Sequence, residues 1–150
     1  KFRSEILETY KRNHKESIDL ADKIFKEGSS NLWVVVISYY SMFYMANAVL
    51  YKIGYKVGSK VSHKVTSDAL IVFVRDKLKK SLLKDYEDAK EDALDIIGRK
   101  TDEIISSFGR ELEKRSVFQY ESTEAIKRSK AETSLNRAKR FNFEMVKLLD

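Results

Sequence analysis

LWVVVISYYSMFYMANAVLY, residues Leu32–Tyr51, runs for twenty residues without a charged side chain, in a chain where 35% of residues are charged. A stretch of that length matches the roughly 20 apolar residues that cross a hydrocarbon core. Its details argue against a membrane. Ser38, Tyr39, Tyr40, Ser41, Tyr44 and Asn47 fall in its middle, whereas membrane helices keep their tyrosines at the two interfaces and few polar groups at the centre. A helix that is apolar nearly all round also suits the centre of a helical bundle. The stretch therefore predicts a buried central helix, and no membrane is expected.

The composition agrees with that reading. The chain has 150 residues, enough for one domain with a single core, and residues 1–150 are read as such. With no cysteine, disulfides and thiolate metal sites are excluded, and a cytoplasmic location is the expectation. With no proline and only five glycines, long helices are favoured and tight hairpins are not, so the class is all-α. No charged-then-apolar leader precedes Phe2 and no Met opens the chain, so the expectation is a piece of a longer protein without a signal peptide.

Outward from the central helix, Ile6, Leu7, Tyr10, Ile18, Ala21, Ile24 and Phe25 form one stripe of a first helix over about 3–27. Gly28 to Asn31 offer a helix stop and a cap for the next helix, a connection short enough for an antiparallel hairpin. After Gly54 and a loop to Ser62, a third helix is predicted with Val65, Ala69, Val72 and Phe73 inward and Ser59 or Ser62 as its cap. A fourth, over about 82–120, carries Tyr86, Ala89, Ala93, Ile97, Ile104, Phe108 and Leu112, with Gly98 and Gly109 as places to bend or break. The last, over about 123–149, presents Leu135, Ala138, Phe141, Met145 and Leu149 after a Ser122 or Thr123 cap.

The net charge of +6 is local. Lys52 to Lys80 hold eight basic residues against two acidic ones, which accounts for the whole excess. Lys52, Lys56, Lys60 and Lys64 make a basic patch able to attract phosphates or an acidic partner, although closely interleaved aromatics are missing. A solvated lysine-rich surface is the plainer alternative. Continuing the stripe of the fourth helix past Leu112 brings Arg115 and Gln119 inward, with Tyr120 beside them. A buried guanidinium needs partners. These three residues are read as a polar cleft or dimer seam for an anion or nucleotide, against the alternative of a helix end emerging into water beside Glu121.

Ser38-Tyr39-Tyr40-Ser41-Met42-Phe43, a helix continuing to Gly54, a basic loop, and Ser62-His63-Lys64-Val65 opening the next helix together resemble the core of HEPN domains. Arg115 to Tyr120, followed by Ser122, Thr123, Glu124 and Ala125, resembles the small stand-alone HEPN proteins of bacteria and archaea. The resemblance covers roughly residues 5–149. It implies an up-and-down bundle of four or five helices, frequently a homodimer, in toxin–antitoxin or defence systems, often beside a small nucleotidyltransferase partner.

Active members of that family are metal-independent ribonucleases whose signature is an Arg followed after four to six residues by a His. Here the corresponding positions after Arg115 hold Tyr120, Glu121 and Ser122, and neither His14 nor His63 has an arginine at the required distance before it. Metal-free RNA cleavage needs a base for the 2′ hydroxyl, a role that suits imidazole near neutral pH, and a cation for the phosphorane. Arg115 could supply the cation; Tyr120, with an ordinary pKa of about 10, is a poor base. The expected function is thus a non-catalytic or weakly active module binding a nucleotide, RNA or a partner. Arg115 would contact the anion, Gln119 would orient it and Tyr120 would donate a hydrogen bond. The alternatives are a ribonuclease toxin using Tyr120 or His63 as substitute base, and a structural module docking an acidic partner on the basic patch.

His14, between Asn13 and Lys15, is expected to face solvent, and His63 to be structural. Asp85, Glu87, Asp88, Glu91, Asp92 and Asp95 form an acidic face read as solvated, with Lys84 and Lys90 placed for helical ion pairs. No HExxH, Glu-x-x-His or glycine-rich phosphate loop occurs. No metal or other cofactor is expected.

Overall fold

The computed structural model describes residues 2–55, 63–110 and 126–150, with the backbone alone for 99–110. Nearly all of them belong to five α-helices: α1 (Ser4–Glu27), α2 (Asn31–Lys52), α3 (His63–Phe73), α4 (Lys80–Arg110) and α5 (Arg128–Val146). Single 3-10 turns at Arg75–Lys77 and Lys147–Leu149 follow α3 and α5, and no strand occurs among the described residues.

Local chemistry sets the first connection. Gly28 closes α1 with φ 69°, its N–H donating to the carbonyls of Ile24 and Phe25. That left-handed conformation suits glycine, which has no Cβ to clash. Ser30 then caps α2, its Oγ accepting from the Trp33 N–H. The turn leaves α1 and α2 antiparallel: the Arg3 N–H donates to Tyr51 Oη at 2.7 Å, and His14 Nδ1 meets the Ser41 carbonyl at 3.1 Å midway along the pair.

The same pairing logic orients the rest. Tyr39 packs on Tyr86, while Val35 and Val36 share a cluster with Ile96, so α4 runs against α2. Arg140 pairs with Asp85 and Arg137 with Asp92, so α5 runs against α4. The long helices α1, α2, α4 and α5 thus make an all-α up-and-down bundle, with α3 laid beside α2 through Tyr39–His63 at one end and Tyr55–Phe73 at the other.

The core sits around α2. Tyr39, Met42, Met45, Ala46, Val49 and Leu50 are buried, as are Tyr86, Ala89, Ala93, Ala138, Phe141 and Met145 from α4 and α5. Asn31–Lys52 is long and apolar enough to cross a membrane, yet 72% of its apolar window is buried inside the bundle. That is the environment expected of a central helix.

Several expectations change. In α3 the inward residues are Thr66, Ser67, Ala69 and Leu70, whereas Val72 and Phe73 are exposed and Val65 lies at the margin. Ser67 and Thr66 face inward because Lys90 and Asn47 meet their hydroxyls. In α4 the inward place falls to Ile96, with Ile97 half-buried, and the helix runs unbroken through Gly98 and Gly109. The last helix begins at Arg128; Ile126 and Lys127 are not helical. Its inward face is as expected, with Leu135, Ala138, Phe141 and Met145 buried. Ser59, Ser62, Leu112, Ser122 and Thr123 lie outside the described residues, as do the side chains of Ile104 and Phe108.

Candidate functional site

Tyr39, Tyr40 and Asn47 of the central helix find partners on α3 and α4. His63 Nδ1 lies 2.6 Å from Tyr39 Oη, and His63 Nε2 lies 3.5 Å from Tyr40 Oη. Tyr39 Oη is in turn 3.5 Å from Tyr86 Oη. One proton assignment satisfies the chain: Tyr86 donates to Tyr39, Tyr39 to His63 Nδ1, and the His63 Nε2–H to Tyr40. The imidazole ring also packs on the rings of Tyr39, Tyr40 and Phe43, the last at a centroid distance of 4.9 Å.

Electrostatics reinforce this arrangement. Burial, with the Lys90 charge adding to it, holds the His63 pKa below its ordinary value, so the neutral imidazole is favoured. Burial pushes the Tyr39 and Tyr86 phenols well above the ordinary tyrosine range, which keeps both as hydrogen-bond donors at neutral pH. Lys90, beside them on α4, donates to Ser67 Oγ at 2.8 Å and pairs with Glu87 at 2.9 Å. The arrangement can clamp α3 against α2 and α4. As a proton acceptor for chemistry it has little to offer, because both imidazole nitrogens already face phenols.

A second polar seam runs on the other side of α2. Asn142 Nδ2 donates to Ser41 Oγ at 3.1 Å, and Ser41 Oγ donates to the Ser38 carbonyl at 2.7 Å. His14 contacts the same turn and is partly buried there, with burial the main cause lowering its pKa. The solvent-facing reading of His14 is therefore corrected. It belongs to the inward stripe of α1 with Leu7, Tyr10 and Ala21, a spacing visible in the sequence but obscured by its charged neighbours. Ser38 Oγ and Ser134 Oγ are buried without a hydrogen-bond partner among the described residues.

The other residues singled out from sequence divide cleanly. Arg115, Gln119, Tyr120, Lys56 and Lys60 lie outside the described residues. Lys52 is exposed, and Lys64 is exposed and paired with Asp68 at 2.8 Å. The acidic face of α4 is more than solvated. Asp85 binds Arg140 through two oxygens at 3.2 and 3.3 Å, Asp92 binds Arg137 at 3.1 Å and Lys130 at 3.3 Å, and Asp88 pairs with Lys84 at 2.9 Å. This explains the acidic run as half of a seam with α5. No group of three metal-ligating side chains occurs among the described residues. A shallow cleft of about 340 Å³ opens between Lys79, Leu82 and Asp85 on one side and Arg140, Phe143 and Glu144 on the other. Its arginine is already held by Asp85.

Compared with known protein families, curated proteins and solved structures, the chain gave no match to any of the three.

Proposed function

We propose that this chain is a HEPN-like module that binds a nucleotide, RNA or a partner protein without cleaving RNA. The observation that carries the preference for binding is the engagement of His63, whose two ring nitrogens face Tyr39 and Tyr40. His14, the other histidine of the sequence, has its Nδ1 on the Ser41 carbonyl. A base of the right pKa is what metal-free cleavage requires, and both imidazoles serve the fold. Phosphate recognition asks only for a cation and hydrogen-bond donors, the roles assigned to Arg115, Gln119 and Tyr120. The two segments that carry the resemblance around Tyr39, Tyr40 and His63 also meet in space, which gives that pattern a structural reason.

In this reading the module is a cytoplasmic homodimer of a toxin–antitoxin or defence system, working beside a nucleotidyltransferase-type partner. The test is incubation of purified protein with total RNA in EDTA, alongside titration with a labelled oligoribonucleotide and with ATP. Intact RNA, with oligoribonucleotide or nucleotide binding lost in Arg115→Ala, is the expected result. EDTA-resistant cleavage abolished by Arg115→Ala would favour a ribonuclease using Tyr120 or His63. Binding and dimerisation both unchanged in Arg115→Ala would remove that residue from the site.

A further inference from the structure

Among the described residues, ten large hydrophobic side chains are exposed, and four of them belong to the eleven-residue helix α3. Three are consecutive at its end: Ile71, Val72 and Phe73 are 42%, 71% and 47% exposed. The Phe73 ring packs on Tyr55 at a centroid distance of 4.9 Å, which joins the end of α3 to the turn after α2. Ile53, two residues before Tyr55, is exposed as well. Elsewhere Phe143 and Val146 are exposed one turn apart on α5, while Phe2, Leu20 and Trp33 stand singly, and scattered single residues need no explanation. A run of three on one short helix does.

The rim of this patch has one dominant sign. Lys52 adjoins Ile53, and Arg75 and Lys77 follow Phe73 in the 3-10 turn, with Lys79 and Lys80 just beyond. None of these five cations makes an ion pair among the described residues, in contrast to Lys64, Lys84 and Lys90, which do. Asp76 is the acidic residue of the turn, and Asp68 on α3 is already paired with Lys64. An apolar patch bordered by unpaired cations matches a ligand that is apolar on one side and acidic along its edges. Among peptide-recognition modes this is the amphipathic helix, whose anchors recur at i, i+3 or i+4, and i+7. The apolar centre of the patch disfavours a nucleic-acid backbone, which offers Ile71, Val72 and Phe73 nothing to bury against.

We infer that the outer face of α3, with the Ile53–Tyr55 turn and the Arg75–Lys80 segment, docks an acidic amphipathic helix of a partner protein. None of its residues is Arg115, Gln119 or Tyr120, and the proposal does not depend on nucleotide or RNA binding. The probe is a fluorescein-labelled 18-residue helical peptide with leucines on one face and glutamates on the other, measured by anisotropy at physiological salt against a scrambled peptide of identical composition. Binding at least 10-fold tighter than the scramble, lost in both Val72→Asp and the Arg75→Ala/Lys77→Ala pair and retained in Arg115→Ala, is the expected result. Val72 is mostly exposed, so its variant should keep the wild-type helical content and melting temperature. Equal affinity for the two peptides, or full binding by either surface variant, would overturn the proposal. So would stronger retention on phosphatidylserine vesicles or RNA through the same residues.

Discussion

At the scale of single residues, His63 links the sequence to its thermodynamics. The Tyr39 O–H bond to Nδ1 requires an unprotonated nitrogen, and burial lowers the pKa of both His63 and His14 from 6.5. The sign follows from linkage: the unfolded chain takes up these protons near 6.5, before the folded chain does. Stability is therefore complete above that pH and is lost as pH falls through it toward the lower folded values. The urea midpoint should decline between pH 7.5 and 5.5, a window above the range in which carboxylates such as Asp22 titrate. In a His14→Gln/His63→Gln variant the midpoint should change far less over the same window, whatever its absolute level. An undiminished slope in that variant would assign the pH dependence to other groups.

At the scale of elements, legibility followed the locality of the signal. Gly28 and Ser30 acted as sequence chemistry says they must, because a left-handed helix stop and a hydroxyl cap depend only on neighbouring residues. The inward face of α3 was misread because Val65, Val72 and Phe73 look like core, while Thr66 and Ser67 face inward only because Asn47 and Lys90 reach them. Those partners stand 19 and 23 residues away, beyond any local pattern. The acidic run of α4 was likewise legible as a face, but its match to Lys130, Arg137 and Arg140 needed the bundle. Of the candidate site, the Tyr39–Tyr40–His63 segments were readable as a pattern, and their clamp geometry was not. The α4–α5 seam makes its own prediction. Arg137 is mostly buried and touches both Asp88 and Asp92, at 3.7 and 3.1 Å. Arg137→Ala should cost about 1–3 kcal/mol in urea unfolding, since it removes the cation shared by two partly buried carboxylates and leaves them only the more exposed Lys84 and Lys130. Lys64→Ala, which breaks an exposed pair, should leave the urea midpoint at its wild-type value. Similar losses in the two variants would mean that burial does not separate these ion pairs.

At the scale of the whole molecule, α2 and α3 sit at opposite ends of a stability gradient. Helix α2 contributes more buried side chains than any other described helix and shares core clusters with α1, α4 and α5. Its amides should exchange with solvent only when the whole bundle opens. Helix α3 is shorter, exposes its outer face, and is held by Ala69 and Leu70 in the core, by the phenol–imidazole chain at His63 and by the ring contact at Phe73. It should open first and by itself. Hydrogen exchange followed by mass spectrometry should therefore give α3 peptides faster exchange than α2 peptides under native conditions. Tyr39→Phe separates the two levels, because it removes the hydroxyl that holds His63 while leaving the ring in the core. Losing a buried hydrogen bond worth about 1–1.5 kcal/mol should speed exchange in α3 roughly 10-fold. Global unfolding would weaken by no more than that same amount. Exchange in α3 at the slow rate of α2, unaffected by Tyr39→Phe, would mean that the bundle opens as one unit and that the clamp at His63 controls nothing separately.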